Sequence, residues 1–163
     1  MSSIPGITRQ WVLAHHPKAG EDPSQAFELT ETALFNSQLS PVYGPGGLVD
    51  KKAVVVKPIW LSNDPSQRTW IAEQGSYITV KAGELMTCWG IGKVIESYKP
   101  EFKKGDLVWG FLAWSEYMLF ENPHTRYPPG LTILSEEQAK CPSTYIAARL
   151  TVCILLLKYT VVL

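Results

Sequence analysis

The chain has 163 residues, which at about 150 residues per domain makes roughly one domain and excludes most two-domain enzymes. Hydrophobic residues make up 45% against 18% charged, with six Trp, seven Tyr and five Phe, so there is apolar surface enough to offset chain entropy and to exclude a disordered chain. Fifteen basic and fifteen acidic residues cancel to a formal charge of zero, leaving no electrostatic footprint for nucleic acid or an anionic membrane.

Three cysteines, Cys88, Cys141 and Cys153, are too few and too far apart for a disulfide framework, and no signal-peptide pattern precedes them. The expectation is a reduced, cytoplasmic compartment. There is no Cys-x-x-Cys, and His15 and His16 are adjacent, so no metal site is expected.

Arg9 to Ala14 is a short strand-like run, and Phe27 to Thr32 alternates with the two-residue period of a half-buried strand. Residues 36–50 hold Pro41, Gly44, Pro45, Gly46 and Gly47 and read as a long surface loop. Lys52 to Ser62 is rich in β-branched and aromatic residues, and Pro58 within it predicts an edge strand or a bulge. Asn63-Asp64-Pro65 turns the chain into a helical turn over 66–72. Four β-type runs follow, Tyr77 to Lys81, Met86 to Ser97, Leu107 to Leu112 and Glu116 to Phe120, separated by glycines. Many short strands of this kind predict a sandwich or barrel.

The end of the chain differs. Thr144 to Leu163 holds Arg149 and Lys158 as its charges and no acid. Its apolar run, Leu150 to Leu157, is far short of the roughly twenty residues a bilayer requires, so no membrane span is expected. It reads as a buried terminal strand or helix, as a partner-binding tail, or as a segment foreign to the rest of the fold.

No Gly-x-Ser-x-Gly elbow occurs, and Ser62 and Ser115 have no neighbouring histidine, so a serine hydrolase is a poor reading. Gly90-Ile91-Gly92 lacks the third glycine and the Lys-Ser/Thr of a phosphate loop, and strand-like residues follow it. Those two glycines are expected to thin a strand so that another backbone can approach. Of Trp60, Trp70, Trp89, Trp109 and Trp114, most are expected in the core, with one or two left for a concave ligand wall. Arg68 follows a turn among aromatics, where it could meet a carboxylate or phosphate bidentately or pair locally with Asp64.

Five motifs in order carry a family likeness: Trp60 to Ile71, Gly83 to Met86, Gly90 to Ser97, Phe102 to Gly110 and Trp114 to Tyr117. Over residues 9–122 the chain resembles the N-terminal domain of zinc-independent medium-chain dehydrogenase/reductases, of the leukotriene B4 dehydrogenase, prostaglandin reductase and alkenal double-bond reductase type, particularly the fungal ones. The resemblance implies a mainly β fold with short helices, a GroES-like, partly open β-barrel spanning 1–143 with a loop insertion at 36–50. It implies a Rossmann domain beyond that point, which binds NADPH and closes the active-site cleft. In that family hydride passes to the β-carbon of an α,β-unsaturated carbonyl, and no zinc is used.

Residues 144–163 do not resemble the family's continuation, so they are read as an atypical hydrophobic segment with the Rossmann domain absent. The chain is thus expected to be a truncated enone reductase that does not bind NADPH alone, with a small apolar enone as its ligand class. The resemblance also shows departures: Ser66 stands where relatives have Tyr, Thr69 where Gly is common, and Cys88-Trp89 where small residues line the cleft, so Trp89 would narrow it. The expected pocket residues are Arg68, Tyr77, Trp89, Trp114 and Tyr117, with no catalytic residue assigned. A standalone isomerase, cyclase or ligand-binding barrel is the alternative reading. So is an interaction subunit that docks a partner chain or a second copy through Leu150 to Leu163.

Overall fold

The computed structural model describes residues 7–34, 53–74, 78–120, 130–140 and 160–161. The expected loop at 36–50, Tyr77, Cys141, Cys153 and most of 144–163 lie outside the described residues.

The chain begins with an antiparallel hairpin of β1 (Ile7–Leu13) and β2 (Phe27–Ala33), joined through a 3-10 turn at Pro23–Ala26. The main sheet is built from β3 (Val54–Ser62), β4 (Thr87–Ser97), β5 (Leu107–Ala113), β6 (Met118–Phe120) and β7 (Thr132–Ile133). Its order is β6-β3-β4-β5-β7, every pair antiparallel. A two-residue strand, β8 (Thr160–Val161), pairs with the end of β3 through Leu61 and Ser62. Among the described residues there are two short α-helices, α1 (Gln67–Trp70) and α2 (Glu136–Lys140).

Central strands have continuous rather than alternating apolar sequence because both faces are covered. Val54, Val55 and Val56 of β3 are all fully buried, and Val108 to Ala113 of β5 are buried without a break. The hairpin crosses the ends of β4 and β5. Trp11 N–H donates to Trp114 O at 2.8 Å, Leu13 N–H to Glu84 O at 2.9 Å, and Met86 N–H to Trp11 O at 3.1 Å. The hairpin and the main sheet are not closed into one continuous ladder, and the mainly β, partly open barrel expected from sequence is what the chain forms.

Pro58 marks a bulge, and it lies in the stretch of β3 that has no described strand on the edge away from β4. β3 lies between β4 and β6, and its register against β4 slips between Pro58 and Trp60, where a residue without an N–H breaks the ladder at least cost. The expected strand over Tyr77 to Lys81 is absent over its described part, Ile78 to Lys81. Val80 N–H instead donates to Trp70 O at 2.8 Å, closing a loop onto the end of α1, and the Val80 side chain is buried there.

Candidate functional site

Trp114 is the residue around which the concave surface is organised. Its backbone is fixed on both sides, N–H to Met86 O at 2.8 Å and C=O from Trp11 N–H at 2.8 Å. Its ring lies 5.4 Å from Phe27 at 33°, and its indole N–H donates to Cys88 Sγ at 3.3 Å. Burial pushes the Cys88 thiol up to about 12, against weaker opposing hydrogen bonds from Trp114, Ser62 and Gln67. At neutral pH it is a protonated, packed thiol and no nucleophile.

Two hollows share Trp114. The first, about 370 Å³, is bounded by Phe27, Asn63, Pro65, Arg68, Met86 and Trp114, among others. Its floor is set by the turn that opens α1. Asp64 accepts the Ser66 N–H on Oδ1 at 2.7 Å, and buried Gln67 accepts the Asp64 N–H on Oε1 at 2.8 Å while Nε2 reaches Thr87 O at 3.4 Å. Asp64 and Gln67 thereby clamp the turn, and Arg68 stands exposed beside it. Among the described residues Arg68 makes no ion pair with Asp64, so its guanidinium is not held back by the local partner considered from sequence.

The second hollow, about 440 Å³, is bounded by Arg9, Leu29, Lys57, Glu116 and Tyr117 with Trp114. Arg9 and Glu116 form an ion pair in its lining. Arg9 Nη2 and Nε both donate to Oε1, the latter at 2.9 Å, and Arg9 N–H donates to Oε2 at 3.2 Å. Hydrogen bonding from Arg9, then its charge and that of Lys57, hold the Glu116 carboxyl below its ordinary 4.5.

A carboxyl with a lowered folded value stabilises the protein at pH above its unfolded value and loses that contribution as pH falls through the folded one. The urea midpoint of the natural chain is therefore expected to exceed that of Glu116→Gln by a small, constant margin above about pH 6, because the pair is exposed. The margin should close as pH falls below 4.5 and through the lowered folded value. A margin unchanged at the acid end would show that the ion pair is not its source.

Of the five residues expected at a pocket, the structure brings three to this surface but not to one hollow. Arg68 lines the first, Tyr117 the second and Trp114 both. Trp89 lines neither. Its ring is stacked on Trp109 at 5.2 Å and 7° and meets Phe111 edge-on at 5.6 Å, so it belongs to an aromatic packing cluster on the sheet. Tyr77 lies outside the described residues. Sequence reasoning passed over Phe27, Met86, Arg9 and Lys57. Lys57 carried a signal, a lone cation inside the apolar run of β3. Arg9 carried none, because its partner is 107 positions away.

Among the described residues no three His, Cys, Asp or Glu side chains converge as metal ligands, and no helix is long and apolar enough to cross a membrane. The sequence family described as the N-terminal domain of oxidoreductase matches residues 9–127. An NADP-dependent 2-alkenal reductase of Nicotiana tabacum is 43% identical over 76 residues, covering 45% of this chain and 22% of that protein. The NADPH-dependent curcumin reductase of Escherichia coli is 31% identical over 110 residues, covering 67% of this chain and 28% of that one. Among solved structures, CurA of Vibrio vulnificus in complex with NADPH superposes with a TM-score of 0.61 at 23% identity, covering 83% of this chain and 34% of CurA, a likeness of fold. The chain spans between about a fifth and a third of the length of these proteins.

Proposed function

We propose, since the chain belongs to the family of oxidoreductase N-terminal domains of the medium-chain dehydrogenase/reductases, that it forms the substrate wall of an NADPH-dependent reductase of α,β-unsaturated carbonyl compounds. The observation that carries this reading is the family match over residues 9–127, taken with relatives that reduce alkenals and curcumin. The first hollow is the wall in question. It is built by two of the motifs that carry the likeness, the turn Asn63 to Arg68 and the segment ending at Met86, with Trp114 from a third.

The chemistry this wall offers is positioning and polarisation. An apolar enone lies against the contacting Phe27 and Trp114 rings and Met86, and the Asn63 amide or the Arg68 guanidinium is the donor within the hollow for its carbonyl oxygen. Drawing electron density toward that oxygen makes the β-carbon more electrophilic, and a charged donor in a partly desolvated site is the more effective one. Among the described residues α1 and α2 are four and five residues long, and neither opens after a glycine-rich turn. No reductive step is assigned to a residue of this chain.

Binding can be read without turnover. Titrating the chain with 4-phenyl-3-buten-2-one and following tryptophan emission is expected to give saturable quenching, weakened about tenfold in Arg68→Ala, the loss of one charge-assisted hydrogen bond. Unchanged affinity in that variant would remove Arg68 from the reading, and no saturable quenching in the natural chain would remove the hollow.

A further inference from the structure

The second hollow plays no part in the enone reading, and its construction is that of a separate site. β6 covers the edge of β3 at Val54 to Val56 and β8 covers it at Leu61 and Ser62. Between them, among the described residues, Lys57 to Trp60 have no strand on that edge. Lys57 continues the register one step past the Val56–Met118 pair, which sets it against Tyr117, and its Nζ lies 5.8 Å from the centre of that ring. The gap in the sheet is thus walled by Tyr117, Trp114 and Leu29 and holds one ammonium group.

Charge decides what such a gap accepts. Both Glu116 oxygens are occupied by Arg9, so that pair is internally neutral, and among the described residues Lys57 has no carboxylate within 4 Å. The hollow therefore carries one net positive charge, on a lysine whose neighbours are an aromatic ring and, more distantly, an already satisfied carboxylate. One unpaired ammonium matches one carboxylate. A phosphate dianion would meet a single cation and the repulsion of Glu116. Leu29, half exposed at 50%, and the three aromatic side chains, Trp11, Trp114 and Tyr117, supply apolar walls. The volume of about 440 Å³ falls in the range of about 300–1,000 Å³ typical of small-molecule pockets.

We propose that this hollow is a second ligand site, taking a planar aromatic monocarboxylate whose ring lies against Trp114, Tyr117 and Leu29 and whose carboxylate pairs with Lys57. The ring supplies stacking and burial. The carboxylate replaces the solvent now around Lys57 and keeps the ammonium over the Tyr117 face.

The test uses the whole chain and 2-naphthoate as probe, by isothermal titration calorimetry. Saturable binding with Kd below about 1 mM is expected, with 2-naphthamide at least tenfold weaker because it lacks the charge. Lys57→Gln, at an exposed position, should weaken naphthoate about tenfold, and Leu29→Trp should abolish it by filling the hollow. Both variants should bind 4-phenyl-3-buten-2-one as the natural chain does. No saturable naphthoate binding to the natural chain overturns the proposal, and so does equal affinity for the amide, or Lys57→Gln binding unchanged. Failure of the enone to bind while naphthoate follows the expected pattern would count against the first hollow and leave this one standing.

Discussion

Gly90→Ala is expected to lower the free energy of unfolding by about 3 kcal/mol, the upper end of what a single added methyl costs in a packed interior. A Cβ built at Gly90 would lie 2.6 Å from Trp60 O and 2.9 Å from Leu61 Cδ2. The carbonyl is the obstacle. It belongs to β3, which is paired to β4 along its length and covered at both ends of its other edge by β6 and β8. A strand held in this way cannot retreat without giving up ladder hydrogen bonds. Gly110→Ala is the control on the neighbouring strand. There the nearest atom is Leu131 Cδ2 at 2.9 Å, the movable end of a side chain, with Gly130 O at 3.2 Å, so the loss should be about 1 kcal/mol. Urea unfolding of the two variants decides it, and a Gly90→Ala loss no larger than that of Gly110→Ala would show that β3 yields.

The same close approach shows how far the sequence could be read. Gly90 and Gly92 inside a β-suited run could only mean a backbone or side chain brought close, and both meet β3: at Gly92 an added Cβ would fall 2.3 Å from Val56 Cγ1 and 3.0 Å from Lys57 O. Pro58 was legible for the same kind of reason, since a missing N–H has a local consequence wherever the strand lies. α2 was legible and passed over. Ser135 and Gln138 cap each other's backbone, Ser135 N–H to Gln138 Oε1 at 2.9 Å and Gln138 N–H to Ser135 Oγ at 3.2 Å, the reciprocal pattern that Ser-x-x-Gln announces. β7 was not legible. It contributes two residues whose side chains are both exposed, and no periodicity exists in two residues.

The site was legible in its parts and not in its arrangement. Trp114 and Arg68 stood out by type and motif, and both line the first hollow. That Tyr117 belongs to a different hollow, and Trp89 to a stack with Trp109, depends on which strands are neighbours. Trp89 and Trp109 lie on adjacent strands at non-opposed positions, Trp89 facing Phe111 and Trp109 facing Ile91, and a diagonal aromatic contact of this sort follows from register alone. Register is set by long-range pairing, so a single sequence does not disclose it. The five expected pocket residues gave no hint of two hollows, because Lys57, the ammonium of the second, was not among them.

Leu112→Ala should cost about 4 kcal/mol, toward the upper end of the range for truncating a fully buried leucine. Leu112 has no exposure and sits in the main core. What places the cost high is the surface it covers. Its Cδ1 is 3.1 Å from the Cβ position at Gly90 and 3.5 Å from that at Gly92, so it lies over two glycines that contribute no side chain of their own to the space it leaves, Leu61 and Val56 being the side chains beside it. A cavity that collapses little retains most of its penalty, and against a total stability of about 5–15 kcal/mol the loss takes between about a quarter and four fifths of it. Combining the two substitutions tests both arguments together. If Leu112 were what opposes a methyl at position 90, Gly90→Ala would be nearly harmless in the Leu112→Ala background, because the methyl would then occupy vacated space. With Trp60 O at 2.6 Å and Leu61 Cδ2 at 2.9 Å still in place, more than half of the Gly90→Ala cost should persist there, read on a stabilising osmolyte background by urea unfolding. Rescue of most of that cost would place the obstacle in the Leu112 side chain and not in the β3 backbone.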